Sequence, residues 1–561
     1  MKSWTSEDRI LAILFLLTGA ICIYGLSLPL IGFDSSQYAE ISRQMFDSGN
    51  YLQIQLDGRD YLDKPPLLFW LSSLSYALFG ISEFAFRLPS FLFLLLGTYG
   101  TYIIGKELYN NRIGKYAALM FMTSLACFMV NVDVRTDTLL IGSITFATAK
   151  FIQYRNYSRW SDLIFCFFFI GIAMCSKGPI GLMIPIIAVG TEILFKKDWK
   201  SIYDWKLIIG FLVTFITISP LLIGLYLQWD LHPEKELYGE NNISGVKFFL
   251  WDQSFGRITG SNPFMIQMKE TQATDPTYFI HTLLWALLPW TILGFTGLIQ
   301  QLKSIFKKIK LTEYYTVGAI IIPIIILSFS SFKLPHYIFI CLPFLCVLGS
   351  NYLLSKDHQK WLKYIHVFIM TIFIVALFLL LYYSFPSSSL LPWSMLIIMI
   401  IILLIFILKK LNTTSQFTFI SLIAIMAHLI IYTNFYPILL EYDSGKKAGE
   451  FLKKEKQDIV LSYDYNFNEA DTLDYETNSY SLEFYSKNLN KIKFLPKHLS
   501  KYIGKDYWIY TSEKEMKELE KKGWIKEIKK FDHINTSKIG LNFFIPEKRN
   551  EMVEYKYLIK I

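Results

Sequence analysis

The sequence predicts a mainly α, polytopic membrane protein of about thirteen helical spans, followed by a small soluble α/β domain. Three observations predict it. Of the 561 residues 53% are hydrophobic and 17% aromatic, only 18% are charged, and the mean hydropathy is +0.36; a soluble chain would carry about 25% charge. Apolar runs near the length of about 20 residues that crosses a bilayer recur along the first three quarters of the chain. Beyond residue 440 the composition turns to Lys, Glu, Asp and Tyr. These features exclude a wholly soluble enzyme, a disordered chain, a collagen and a disulfide scaffold.

The spans are expected at 10–31, 84–105, 116–131, 137–154, 162–176, 179–195, 206–228, 277–301, 314–331, 334–354, 364–385, 391–408 and 416–437. The first is too long for a cleaved signal and runs into polar Asp34-Ser35-Ser36-Gln37, so it reads as a retained span. Six cysteines (Cys22, Cys127, Cys166, Cys175, Cys341, Cys346) lie in apolar runs without metal-ligand spacing and are given no chemistry. No internal repeat is visible, which weakens a transporter built on inverted repeats.

Lys and Arg set the orientation. Basic loops (Lys106, Arg112 and Lys115; Arg155 and Arg159; Lys196, Lys197 and Lys200; Lys303 to Lys310; Lys356 to Lys363; Lys409 and Lys410) alternate with loops poor in basic residues. By the positive-inside rule they are cytoplasmic, with the N-terminus inside and the tail outside. The net charge of +9 then reflects lipid contact and topology, with no nucleic-acid partner. The chain divides into a membrane domain, 1–440, with long outer loops at 32–83 and 229–276, and a periplasmic α/β domain, 441–561. Within the first loop, Tyr38 to Phe46 and Leu67 to Leu78 read as interfacial helices. In the tail, Ile459 to Tyr463 and Tyr507 to Tyr510 read as strands, and Lys514 to Lys522 as a helix.

Candidate chemistry gathers on the outer side. Asp34 follows the first span, and Asp133 and Asp137 bracket the turn between the third and fourth. Each is either a solvated loop carboxylate or part of a polar interfacial site. Lys64, in Asp63-Lys64-Pro65-Pro66, is held out of helical geometry by Pro65; it either snorkels to headgroups or holds a phosphate as a point charge. Lys177, in Ser176-Lys177-Gly178-Pro179, and Lys333, in Lys333-Leu334-Pro335-His336, also stand on the side the positive-inside rule disfavours. They either cap span ends or, with Lys64 and Arg257, grip an outward anion. A lipid-linked phosphate fits such a site, its chain in the bilayer and its charge at the interface.

Three motifs, Asp34-Ser35-Ser36-Gln37-Tyr38-Ala39-Glu40-Ile41, Tyr61-Leu62-Asp63-Lys64-Pro65-Pro66-Leu67-Leu68-Phe69-Trp70-Leu71 and Phe84-Ala85-Phe86-Arg87-Leu88-Pro89-Ser90, resemble those of bacterial polyprenyl-phosphate-sugar glycosyltransferases. The nearest branch is the lipid A aminoarabinose transferases, relatives of the protein O-mannosyltransferases. Ser176-Lys177-Gly178-Pro179-Ile180-Gly181 and Phe332-Lys333-Leu334-Pro335-His336-Tyr337 match later motifs in order. The resemblance covers roughly residues 10–440.

The resemblance implies a GT-C fold, an undecaprenyl-phosphate sugar donor such as 4-amino-4-deoxy-L-arabinose, and inverting transfer to lipid A at the periplasmic face of the inner membrane. Protein Ser/Thr and another envelope glycan stay open as acceptors, and a lipid or solute transporter is the reading of another class. Asp34 matches the catalytic acid, Lys64 the donor-phosphate lysine, and Asp137 (preferred) or Asp133 a second acid. Tyr38 and Tyr61 match active-site aromatics; Glu40, His336 and Tyr337, in the matching motifs, complete the substrate-binding candidates. The chain departs from the family at Ser35 for an acid, Gln37 for an Arg and Asp63 for a Glu, which leaves acceptor and metal open. Asp63 is the candidate should a divalent metal bind; with no P-loop, no nucleotide cofactor is called for.

Overall fold

A computed structural model describes residues 4–30, 32–237, 240–256, 259, 275–330, 332–355, 360–455, 459–463, 479–486, 490–494, 507–536 and 539–560. Every expected span falls on helix. The first ten helices are α1 (Ser6–Leu26), α2 (Gly32–Ser48), α3 (Leu67–Phe79), α4 (Glu83–Leu108), α5 (Asn111–Met122), α6 (Leu125–Val132), α7 (Thr136–Tyr157), α8 (Trp160–Lys177), α9 (Ile180–Lys196) and α10 (Lys206–Leu225). Among the described residues eight helices are long and apolar enough to cross a membrane, or nine with α5 and α6 counted as one span bent by 51°. The chain is a multi-pass membrane protein.

The shortfall from thirteen has physical causes. The expected span 277–301 is two helices, Tyr278–Ala286 and Thr291–Phe306, parted around Pro289. At 17 and 14 residues, α9 and Tyr315–Ser328 are short. α7 is long enough but carries Thr138, Ser143, Thr145, Thr148 and Lys150. It tolerates the hydroxyls because every residue from Thr136 to Ala149 is buried by protein, and Lys150 is paired with Asp162 at 3.0 Å. Three of its hydroxyls also donate to carbonyls one turn back: Ser143 to Leu139 at 2.7 Å, Thr145 to Ile141 at 2.7 Å and Thr148 to Ile144 at 2.8 Å. Close approach requires small residues here: a Cβ on Gly142 would stand 2.2 Å from the Phe93 carbonyl oxygen of α4.

The long loop at 32–83 is ordered. α2 and α3, where the amphipathic pattern placed them, flank a short hairpin, β1 (Gln55–Leu56) and β2 (Arg59–Asp60), paired in antiparallel register Gln55↔Asp60. Of the second long loop, residues 245–256 form a helical segment.

Beyond the last span, five strands form one mixed sheet. They are Ile459–Tyr463, Asn490–Phe494, Trp508–Ser512, Glu527–His533 and Glu554–Lys560, with spatial order second, first, third, fifth, fourth. The first strand is parallel to its neighbours, and the fifth antiparallel to both of its own. The two strands read from the sequence are the first and third, and the helix read there is Glu513–Lys521. This layer rests on one end of the helical bundle: the Leu30 backbone N–H donates to the Tyr485 hydroxyl at 2.8 Å, Phe33 meets Tyr480 edge-to-face at 5.1 Å, and the Arg549 guanidinium lies 4.0 Å from the Phe385 ring centroid.

Arg87 knots that same end of the bundle. Fully buried in α4, it donates to the carbonyls of Val132 at 2.9 Å, Leu26 at 3.1 Å, Pro29 at 2.7 Å and Leu28. One guanidinium therefore ties the exit of α1 to the exit of α6. Arg87→Met keeps the bulk and leaves those carbonyls unsatisfied, so a loss of about 3 kcal/mol or more is expected. The measurement is the thermal midpoint of the detergent-purified protein; an unchanged midpoint would reject the knot.

Candidate functional site

The ends of α6 and α8 and the starts of α2, α3 and α7 carry one polar cluster. Asp34 lies in the first turn of α2, where the helix dipole favours an anion. Arg135 precedes α7 in extended conformation and reaches two carboxylates: its Nη1 donates to Asp34 Oδ2 and its Nε to Asp133 Oδ2 at 3.0 Å. The side chains of Asp34 and Asp133 are each 36% exposed, so an incoming molecule can reach both.

Asp137, in the first turn of α7, is 3% exposed and paired with Lys177. Lys177 ends α8, where the dipole favours a cation. His336 Nε2 lies 3.6 Å from Asp137 Oδ2, and Lys177 Nζ lies 4.0 Å from the centroid of the Tyr337 ring. The chain between Lys177 and α9 is the tight turn Gly178-Pro179, with Gly178 at φ +79°.

Lys64 Nζ donates to Asp63 Oδ2 at 2.5 Å, and the Asp63 carbonyl accepts from Gln253 Nε2 at 3.0 Å. Lys64 and Lys177 line the same cavity of about 1040 Å³. Its walls are apolar: Ile180, Met183, Ile184 and Ile187 of α9 face Pro323, Ile326 and Leu327 of the helix Tyr315–Ser328, with Phe249, Phe255 and Tyr337. From Ile180 to Ile187 the helix descends about 10 Å, away from the turn that carries Lys177. The cations therefore stand at one end of an oily slot.

Tyr38, one turn beyond Asp34, is buried 5.9 Å from the Phe69 ring, which also meets Tyr61 at 6.0 Å. Burial, reinforced by the nearby charges of Asp34 and Asp63, pushes the Tyr38 phenol well above its ordinary range. It stays a neutral hydroxyl. The Tyr61 hydroxyl donates to Gln37 Oε1 at 3.5 Å.

Lys333 and Glu40 lie apart from the slot. Lys333 is buried and donates to the Asp275 carbonyl at 3.0 Å; it does not line the cavity. Glu40 is fully buried and accepts from Arg43 at 2.5 and 2.8 Å and from Gln44 at 2.8 Å. Arg257 falls outside the described residues. Asp63 bonds Lys64, and among the described residues no three His, Cys, Asp or Glu side chains gather as a metal-binding group. Sequence reasoning passed over Arg135, Gln253 and Arg87. Arg135 carried a signal: it is a cation on the side the positive-inside rule reads as outer, two residues from an aspartate on either hand.

The comparisons with known proteins agree with this architecture. Residues 63–223 match the family described as dolichyl-phosphate-mannose-protein mannosyltransferase. An undecaprenyl phosphate-alpha-4-amino-4-deoxy-L-arabinose arabinosyl transferase of Pseudomonas fluorescens is 24% identical over 395 residues, 68% of this chain and 64% of that one. Its counterpart in Edwardsiella ictaluri is 26% identical over 345 residues, 59% and 57% of the two chains. The match thus spans less than two thirds of the length of either relative. The crystal structure of ArnT from Cupriavidus metallidurans bound to undecaprenyl phosphate superposes with a TM-score of 0.74 at 16% identity, covering 99% of this chain and 98% of that one.

The fold is therefore GT-C, and the chain resembles the polyprenyl-phosphate-sugar glycosyltransferases. Within that class, the proteins it resembles are the aminoarabinose transferases, ArnT among them.

Proposed function

We propose that this chain is an integral-membrane glycosyltransferase that moves a sugar, 4-amino-4-deoxy-L-arabinose, from undecaprenyl phosphate to lipid A with inversion. The observation that carries it is the slot: two lysines at the outer end of an apolar cavity of about 1040 Å³. A polyprenyl chain fits the walls, and its phosphate meets Lys64 and Lys177. Both lysines already hold carboxylates, Asp63 and Asp137. An arriving phosphate shares or takes over these ammonium groups, which then stabilise the charge that grows on the leaving phosphate as the sugar bond breaks.

The acceptor attacks the anomeric carbon from the face opposite that phosphate. A lipid A phosphate is already an anion and needs no general base. Asp34, paired with Arg135, then orients the donor sugar and stabilises positive charge developing on its ring. A hydroxyl acceptor would instead use Asp34 as general base. Asp133, sharing Arg135 with Asp34, fixes that guanidinium between them. The proposed setting is a bacterial inner membrane with the N-terminus cytoplasmic, residues 1–440 as the membrane transferase and 441–561 as a periplasmic domain. The partners are the lipid-linked donor, the acceptor and membrane lipid.

Mass spectrometry of lipid A and envelope proteins, from cells with and without the chain, tests this reading. An aminoarabinose increment on lipid A that vanishes with the chain is the expected result. The same increment on protein Ser/Thr would overturn the acceptor, and unchanged spectra for both would overturn the function.

A further inference from the structure

Just outside α10 the chain makes a π-helical turn, Tyr226–Asp230, and this turn holds both outer segments that border the cation end of the slot. Gln228, 1% exposed, behaves as a strand residue in side-chain form. Its Oε1 accepts from the Ile54 backbone N–H at 3.1 Å, and its Nε2 donates to the Ile54 carbonyl at 2.7 Å and to Asp60 Oδ1 at 2.8 Å. Lys235 closes the same knot, bonding the Gln228 carbonyl at 2.9 Å and Asp60 Oδ2 at 2.6 Å. A Cβ on Gly224 would lie 2.5 Å from the Leu52 carbonyl oxygen, so the loop sits directly on α10. Two residues beyond Gln228, Asp230 accepts from the Ser244 hydroxyl at 2.5 Å and the Val246 N–H at 3.3 Å, fixing the start of the segment that carries Gln253. Gln253 then bonds the Asp63 carbonyl.

We propose that Gln228 is a positioning residue for the donor phosphate: it sets where Lys64 stands. The inference rests on the function proposed above, in which Lys64 meets that phosphate. Between Asp60 and Lys64 the chain has four steps, and Pro65-Pro66 stiffens the entry into α3. With Asp60 clamped on one side and α3 beginning at Leu67 on the other, the lysine has little freedom. π-turns inside or at the end of a helix are costly and recur at functional sites; here the widened turn points an amide at a neighbouring backbone. Neither Gln228 nor Asp60 lines the cavity, so the clamp acts through Lys64 and touches no reacting atom.

Gln228→Met keeps the volume and removes all three amide bonds. The expected result is a donor KM raised about tenfold, since a displacement on the order of 1 Å is enough to misplace a binding group, with kcat within about twofold of the unaltered protein. Hydrogen exchange is expected to rise at residues 52–64 and to stay unchanged in α4, α7 and α8. A merely structural residue would lower stability and kcat together and leave KM alone, and that pattern, or unchanged KM, overturns the inference. Lys235→Met serves if Gln228→Met does not fold: it keeps the Gln228–Ile54 pair, frees Asp60 from one partner, and is expected to give a smaller KM rise of the same kind. Undecaprenyl phosphate binding by the unaltered protein checks the function separately. Its absence would refute the proposed donor, whereas normal binding with no KM change in either variant would refute the clamp alone.

Discussion

Asp34→Asn is expected to lower sugar transfer by about 10²–10³-fold while undecaprenyl phosphate binding stays at the level of the unaltered protein. The substitution keeps the shape of the side chain and removes its charge, so it separates two roles that Asp34→Ala would mix. The carboxylate sits at the N-terminus of α2 and against Arg135, so its charge faces two positive partners. It lies apart from the residues lining the slot, which is why donor binding is spared. Asn at this position still accepts from Arg135, so the Arg135–Asp133 arm keeps its place. The assay is transfer from undecaprenyl-phosphate aminoarabinose to lipid A by purified protein in liposomes, run beside a binding measurement with undecaprenyl phosphate. Transfer at the unaltered rate would remove Asp34 from the reaction; loss of both transfer and binding would make it a structural residue.

The helices were legible because membrane spans announce themselves by length and apolarity, and each expected span is helical. α7 shows where that signal fades. Its hydroxyls and Lys150 lower its hydropathy; burial by neighbouring helices, which no local pattern reveals, makes the hydroxyls tolerable, and Asp162 pairs with Lys150. The site was legible as a set of charges at alternate span ends, because the positive-inside rule makes cations expected on the outer side conspicuous. How those charges pair was not. Lys177 and Lys333 carry the same local signature, a lysine within two residues of Gly or Pro at a span end. One lines the slot against Asp137, and the other bonds the backbone of Asp275. That difference is set by how helices far apart in sequence cross. Glu40 was different: Arg43 stands three residues on, a spacing that places an ion pair on one helix face, so its pairing could have been read. Gln228 offered no signal at all, since a glutamine in an apolar run says nothing of a backbone 174 residues away.

The two slot lysines should respond differently to removal, and the difference tests the pairing. Lys64 and its partner Asp63 are both partly exposed, with side chains 19% and 22% accessible. Lys64→Ala leaves a carboxylate that water can solvate, so folding is expected to hold. Donor affinity loses one charge-assisted contact, worth about 1.5–3 kcal/mol, or roughly 10- to 150-fold in Kd. Lys177 is another matter, because Asp137 beside it is 3% exposed. Lys177→Met alone strands a buried anion, a change that costs about 3–5 kcal/mol, and a fall in activity would then report on folding. Lys177→Met combined with Asp137→Asn removes both charges and restores the thermal midpoint toward that of the unaltered protein. If Lys177 holds the phosphate, the double variant folds and still fails to bind undecaprenyl phosphate normally. If its task is only to neutralise Asp137, the double variant recovers binding along with stability, and the phosphate is left to Lys64. Thermal midpoint and undecaprenyl phosphate affinity, measured on the single and double variants together, separate the two cases.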